Sequence, residues 1–169
     1  FYTKDWTKVP GAGGSKAAAL TVTKNKDAEA AAEKANNFIS DTVTNPAISS
    51  ICGEWSIIAR ERGSARVPAA FTEPYYENAE AALTESGGVL DSRRVTENAR
   101  AAIAFTALGQ DASNVYGYNL LAPLADMNKV TKQGINGAIW TLIAFDSGDY
   151  DIPKIGASGA AGNSNAGGA

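Results

Sequence analysis

The chain contains no histidine at all. That removes the usual general base near neutral pH, the imidazole-based serine and cysteine triads, and most zinc sites. A single cysteine, Cys52, excludes an internal disulfide and leaves the redox compartment open. No apolar run approaches the ~20 residues needed to cross a bilayer. Charge of one sign is also scarce: 15 Lys and Arg are scattered among 18 acids, giving a net charge of −3, which is no footprint for nucleic acid. The chain starts at Phe1 without an apolar leader, which suits a processed export product as well as an excised piece; we expect an extracellular or cell-surface location.

What the chain does have is a repeated pattern. Three apolar helical stretches, each closed by a glycine, read Glu54-Trp-Ser-Ile-Ile-Ala-Arg-Glu-Arg-Gly63, Arg100-Ala-Ala-Ile-Ala-Phe-Thr-Ala-Leu-Gly109 and Ile139-Trp-Thr-Leu-Ile-Ala-Phe-Asp-Ser-Gly148. Val67-Pro68 and Ile152-Pro153 follow the first and third at the same offset. The glycines stand 46 and 39 residues apart, the range of helical-hairpin repeats that stack to share a core. With 44% hydrophobic residues, 169 residues suffice for one domain with a real core.

Three zones follow. Residues 1–25 carry Gly, Pro and Ser punctuation and a strand-like alternation at Ala19–Thr23. Residues 26–153 have a helical period. Residues 154–169 are Gly, Ala, Ser and Asn, too poor in apolar surface to fold alone.

The helical zone is expected to form three hairpins. In the first, Ala28, Ala32, Ala35, Ile39 and Val43 form the packed face of a helix stopped by Pro46, and Ile51 to Arg62 supplies its partner. In the second, Thr72 caps a helix with Pro74 in its first turn, packed through Phe71, Tyr75, Ala79, Ala82 and Leu83 and ended by Gly87-Gly88. Its partner spans about Arg93 to Leu108, with Val95, Ala99, Ala102, Ile103 and Thr106 in line. In the third, a short outer helix from Leu120 to Met127 precedes one from Lys132 to Asp146. The latter is apolar nearly all round through Ile135, Ile139, Trp140, Leu142, Ile143 and Phe145, which predicts an inner helix buried on most sides, with Trp140 against Leu120, Leu121 and Leu124.

Here the residues carry a likeness. Cys52-Gly-Glu-Trp55, Val95-Thr-Glu-Asn-Ala-Arg100, Gly117-Tyr-Asn-Leu-Leu-Ala-Pro-Leu-Ala-Asp126 and Gln133-Gly-Ile-Asn-Gly-Ala-Ile-Trp140 resemble the prenyltransferase and squalene-cyclase-like repeat domains of secreted or surface-anchored bacterial proteins. The resemblance implies an α/α toroid of which three hairpins, about half, are legible. It would place Glu54, Trp55, Arg93, Glu97, Gln133 and Asn136 on or near the concave surface.

Neither an Asp-x-Asp-Asp nor an Asp-Asp-x-x-Asp run is present, and no cofactor is implied. Glu54 and Glu97 would be the minimum pair for acid and base work on a glycoside, but glutamates in a first helical turn also stabilise its dipole, and Glu97 is spaced to pair with Arg93 or Arg100. Asp146, Asp149 and Asp151 offer oxygens to calcium without the spacing of a calcium loop, and read better as a solvated turn. Cys52 is expected to be buried and inert. Trp55, Trp140, Tyr75 and Tyr76 either line a ligand floor or, at helical spacing, fill the core.

Two functions remain open. One is a non-enzymatic, self-associating extracellular module whose terminal segments and exposed hairpin flanks dock on other copies, forming a closed oligomer or a filament. The other is part of a cyclase-like toroid that carries a small apolar or glycan ligand or acts on glycosides.

Overall fold

The computed structural model describes residues 26–50, 52–63 and 67–152. Six helices account for most of them: α1 Lys26–Thr42, α2 Gly53–Glu61, α3 Ala69–Ser86, α4 Val95–Ala107, α5 Met127–Lys132 and α6 Gly134–Asp146, with a 3-10 turn at Ala122–Ala125. Among the described residues there is no strand, only an isolated bridge between Val115 and Tyr118. The described part is all-α as expected. The proposed strand-like segment and the Gly/Ala-rich tail lie outside the described residues.

The centre is α4. It packs against α2 and α6, and the 3-10 turn also touches it. Val95, Ala99, Ala101, Ala102, Ile103, Ala104 and Phe105 are all buried along it. Alanines on this helix let neighbours approach closely from more than one side, so a helix of modest bulk becomes the most enclosed one. Helix α3 presents Phe71, Tyr75, Ala79 and Leu83, the face expected from its period, and stops at Gly87, whose φ of 62° makes the left-handed cap. Tyr75 and Tyr76 lie 5.6 and 6.1 Å from the Phe105 ring, which anchors α3 to the end of α4.

Two glycines are demanded by close approach. A Cβ on Gly137 would stand 2.0 Å from the Val130 carbonyl oxygen, and one on Gly53 1.8 Å from that of Ala47. These contacts set α5 against α6 and the entry of α2 against the preceding loop.

Several expectations need correction. Helix α1 forms where expected, yet Ala28, Ala32 and Ala35 are exposed, Ile39 and Val43 are half-buried, and Asn36 is its one buried residue. An alanine stripe buries too little area per residue to hold a charged helix down. Thr72 does not cap α3: Pro68 is the N-cap, and the Thr72 hydroxyl donates back to the Ala69 carbonyl at 3.2 Å inside the first turn. The short helix before α6 is split, because Pro123 sits in the 3-10 turn and the Asp126 carboxylate caps α5 by accepting from the backbone N–H groups of Asn128 and Lys129 at 3.0 and 3.4 Å.

The largest correction concerns α6. It is not enclosed on most sides: Ile135, Ile139 and Leu142 are 74%, 45% and 55% exposed. Among the described residues, α4 and α5 are the helices that pack closely on it. Trp140 is half-buried and packs edge-on against Trp55 of α2, with ring centroids 5.3 Å apart, while Trp55 itself is 41% exposed. The pair neither fills the core nor lines a closed cavity.

Candidate functional site

An alternating run, Asp91, Arg94, Glu97 and Arg100, leads into α4 at a spacing of three: Asp91 and Arg94 stand in the turn before the helix, and Glu97 and Arg100 share a face of its first turns. The Asp91 carboxylate accepts from the backbone N–H groups of Arg93 and Arg94 at 2.8 and 2.9 Å, and from Arg94 Nε at 2.9 Å. Those bonds, led by the one from Arg93, hold the Asp91 carboxyl below its usual range. Arg94 Nη1 reaches Glu97 Oε1 at 3.4 Å, and Arg100 Nη2 donates to Glu97 Oε2. The ladder runs from solvent at Arg94 to the interior at Glu97, whose side chain is 5% exposed.

Its inner end meets α2 and α3. Glu54 is fully buried at the start of α2, and Oε1 accepts the Ser49 backbone N–H. Ser49 adopts a left-handed φ of 59° to aim that donor, a conformation that costs a non-glycine residue on the order of 1 kcal/mol. Burial pushes the Glu54 carboxyl above its ordinary range; the Ser49 N–H and the Arg100 charge pull it down, and Glu97 pushes it up. Tyr75 on α3 is fully buried beside this group, and burial drives its phenol well above the ordinary value, with Glu54 adding to the rise. Glu54 Oε2, Arg100 Nε and the Tyr75 hydroxyl have no hydrogen-bond partner among the described residues. A buried cluster of two acids, an arginine and a phenol therefore joins three helices.

The other candidate residues have separate places. Gln133 acts in trans as a cap: its Oε1 accepts the Thr96 backbone N–H at 3.1 Å and its Nε2 donates to Thr96 Oγ1 at 3.1 Å, tying the entry of α6 to the first turn of α4. Arg93 is exposed beyond the ladder, so Glu97 pairs with Arg94 and Arg100 rather than with it. Asn136 is exposed on the first turn of α6. Cys52, expected to be buried, is exposed in the turn before α2, where Gly53 and not the thiol makes the close contact. Among the described residues no group of three or more acids or cysteines is placed to hold a metal ion, so Asp146, Asp149 and Asp151 do not converge.

Asn98 went unnoticed as a structural centre although it stands in a quoted motif. Fully buried, it accepts the Leu90 N–H at 3.0 Å and donates to the carbonyls of Gly88 and Leu120 at 2.8 and 3.4 Å, bracketing two loops against α4. The signal in the sequence is an amide in the first turn of a helix rich in alanine, on the side of Val95 and Ala102, since a buried amide must find partners. Tyr150 has a similar task after α6: its hydroxyl accepts the Ala112 N–H at 2.9 Å and pairs with Thr106 Oγ1 at 3.0 Å.

Two shallow depressions are present. One, of about 380 Å³, lies between Ile48, Ser49, Ala82 and Leu90; the other, of about 520 Å³, lies around Thr106, Gln110, Asp111 and Tyr150. Neither is lined by Glu54, Glu97, Arg100 or Tyr75. The buried cluster can orient helices, and neither depression opens onto it. No family model, curated protein or solved structure matches this chain.

Proposed function

We propose that this chain is a non-enzymatic helical-repeat module that acts at or outside the cell surface by binding other copies through the exposed flanks of its stacked hairpins. The observation that carries this reading is an inversion of what a catalyst needs: the candidate acid and base are shut inside while large apolar side chains face out. Glu54 and Glu97 are 0% and 3% exposed, against 74% for Ile135. Buried carboxylates that fix a helix seam cannot meet a glycan, whereas a contiguous apolar patch on a small domain marks an interaction surface. In this reading α2, α4 and α6 are the inner helices of a half-toroid, and the terminal segments add further contacts between copies.

Among the described residues no helix is long and apolar enough to cross a membrane. Sedimentation velocity over a hundredfold concentration range tests the proposal. It expects species heavier than the 17.5 kDa chain that grow with concentration. A single monomeric species throughout would sink it.

A further inference from the structure

The exposed stripe on α6 can be read against the other two copies of the repeat. Counting back from each closing glycine, Leu142 shares its register with Ile103 and Ile57, Ile139 with Arg100 and Glu54, and Ile135 with Thr96. In the earlier copies Thr96 and Glu54 face the following unit, while Arg100 faces the preceding one. Thr96 is clasped by Gln133 at the entry of α6, and Glu54 of α2 lies in the electrostatic field of Glu97 and Arg100 on α4. Ile57 and Ile103 are 0% and 7% exposed, whereas Leu142 is 55% exposed. The three α6 side chains thus stand open at registers that are buried or half-buried in the earlier copies, a strip that a further helix would cover.

The chemistry of that missing helix can be narrowed. From Gly134 to Phe145, α6 carries no charged residue, and the register that is Glu54 in the first copy and Arg100 in the second is Ile139 in the third. A charged partner would therefore bury its charge without a counter-ion. Ile135, Ile139 and Leu142 stand at i, i+4 and i+7, the spacing of a short two-helix seam with Ile139 at its middle. At these exposures, with Trp55 close by, the apolar surface offered is on the order of 400 Å², about the apolar half of what one partner gives to a standard interface. A self-complementary strip closes most simply about a twofold axis.

We infer that α6 docks on α6 of a second copy of this chain, antiparallel, with Ile139 next to the twofold axis and Ile135 of each copy near Leu142 of the other. This inference rests on the self-association reading and assigns it a surface and a symmetry.

The experiment uses the full chain. Leu142→Glu, on an exposed position, should leave the circular dichroism spectrum unchanged and weaken dimerisation by about 100-fold, because each new carboxylate is then buried against Ile135 of the other copy without a counter-ion. In a Cys52→Ser background, Ile139→Cys should form a disulfide-linked dimer under mild oxidation, and Phe38→Cys, on the exposed face of α1, should not. If the wild type associates, Leu142→Glu associates equally well and Ile139→Cys stays uncross-linked, the α6 surface is the wrong one, although self-association stands. If the wild type is monomeric at every concentration, the stripe is covered by some other occupant, such as a terminal segment of the same chain, and both the inference and the self-association reading fall.

Discussion

The seam between α2 and α4 and the outer face of α6 carry the same repeat pattern and meet opposite fates. On the seam, a helix of alanines, one phenylalanine and several charged residues is almost wholly enclosed. On α6, a helix far richer in isoleucine, leucine and tryptophan keeps Ile135, Ile139 and Leu142 in the open. Hydrophobicity states what a helix would gain from a neighbour; the neighbour itself is a matter of topology. Small side chains invite two neighbours, and large ones need only one to be half satisfied. Register makes this concrete: Ala101 in the middle copy shares its position with Trp55 and Trp140, and its full burial beneath a small methyl accompanies a direct meeting of the two flanking indoles.

The sharpest way to break the comparison is to delete bulk on both sides of it. Phe105→Ala should cost about 3–5 kcal/mol, since that ring is fully buried and touched by the rings of Tyr75, Tyr76 and Tyr116. Leu142→Ala on the open face should cost under about 1 kcal/mol in the monomer, measured by urea unfolding at low protein concentration. Comparable losses for the two would mean that α6 is as enclosed as α4. A second test is Gly137→Ala, whose Cβ would meet the Val130 carbonyl oxygen at 2.0 Å and must push α5 from α6. We expect a loss of about 2 kcal/mol from strain at a close backbone approach, read in the same unfolding assay. An unchanged midpoint would mean that α5 yields freely and does not fix the base of α6.

The tryptophan pair sits on the boundary between the two regions. Trp140→Ala should cost about 2 kcal/mol, less than full burial would imply, because the indole is half-buried. A double-mutant cycle with Trp55→Ala should return a coupling of about 1 kcal/mol, the range of an edge-on aromatic contact. Additive losses would show that the rings meet without stabilising each other.

How far the sequence reached depends on which of these regions is considered. The buried faces of α3 and α4, the stop at Gly87 and the pairing of Glu97 with Arg100 were legible, because each is set within one helix or one turn by spacing alone. Contacts between units were not. The period of α6 names every apolar residue on it but not which side its neighbours cover, and the alanine face of α1 has a helical period without the area to hold it in place. Gln133 capping Thr96 illustrates the same limit, since a cap supplied across a sequence separation of 37 leaves no local signature. Glu54 and Glu97 were placed together as a pair, but their position inside the seam rather than on a concave surface depended on the enclosure of α4 by its neighbours.

The smallest effect tests the electrostatics of that seam. Burial raises the Glu54 carboxyl above the ordinary 4.5, so the native state holds its proton more tightly than the unfolded chain. The sign follows directly: this group favours folding fully below pH 4.5, and the contribution is lost as pH rises through the raised native value. Asp91 acts in the opposite sense, since its lowered carboxyl favours folding above the ordinary 3.8 and loses that effect as pH falls through the native value; exposure and solvent screening make its share small. Glu54→Gln keeps an oxygen to accept the Ser49 N–H and removes the titration. The variant should therefore match the wild type within about 1 kcal/mol on the acid side of the native titration, where a neutral group replaces a neutral one, and gain on it as pH rises through the raised native value. Melting midpoints of the two proteins across that rise provide the measurement. If the difference between them does not change with pH, the Glu54 carboxyl does not titrate there in the folded state. If the glutamine variant instead loses ground as pH rises, the charge on Glu54 stabilises the seam through Arg100, and the seam is held by its ion pairs more than by the apolar packing around them.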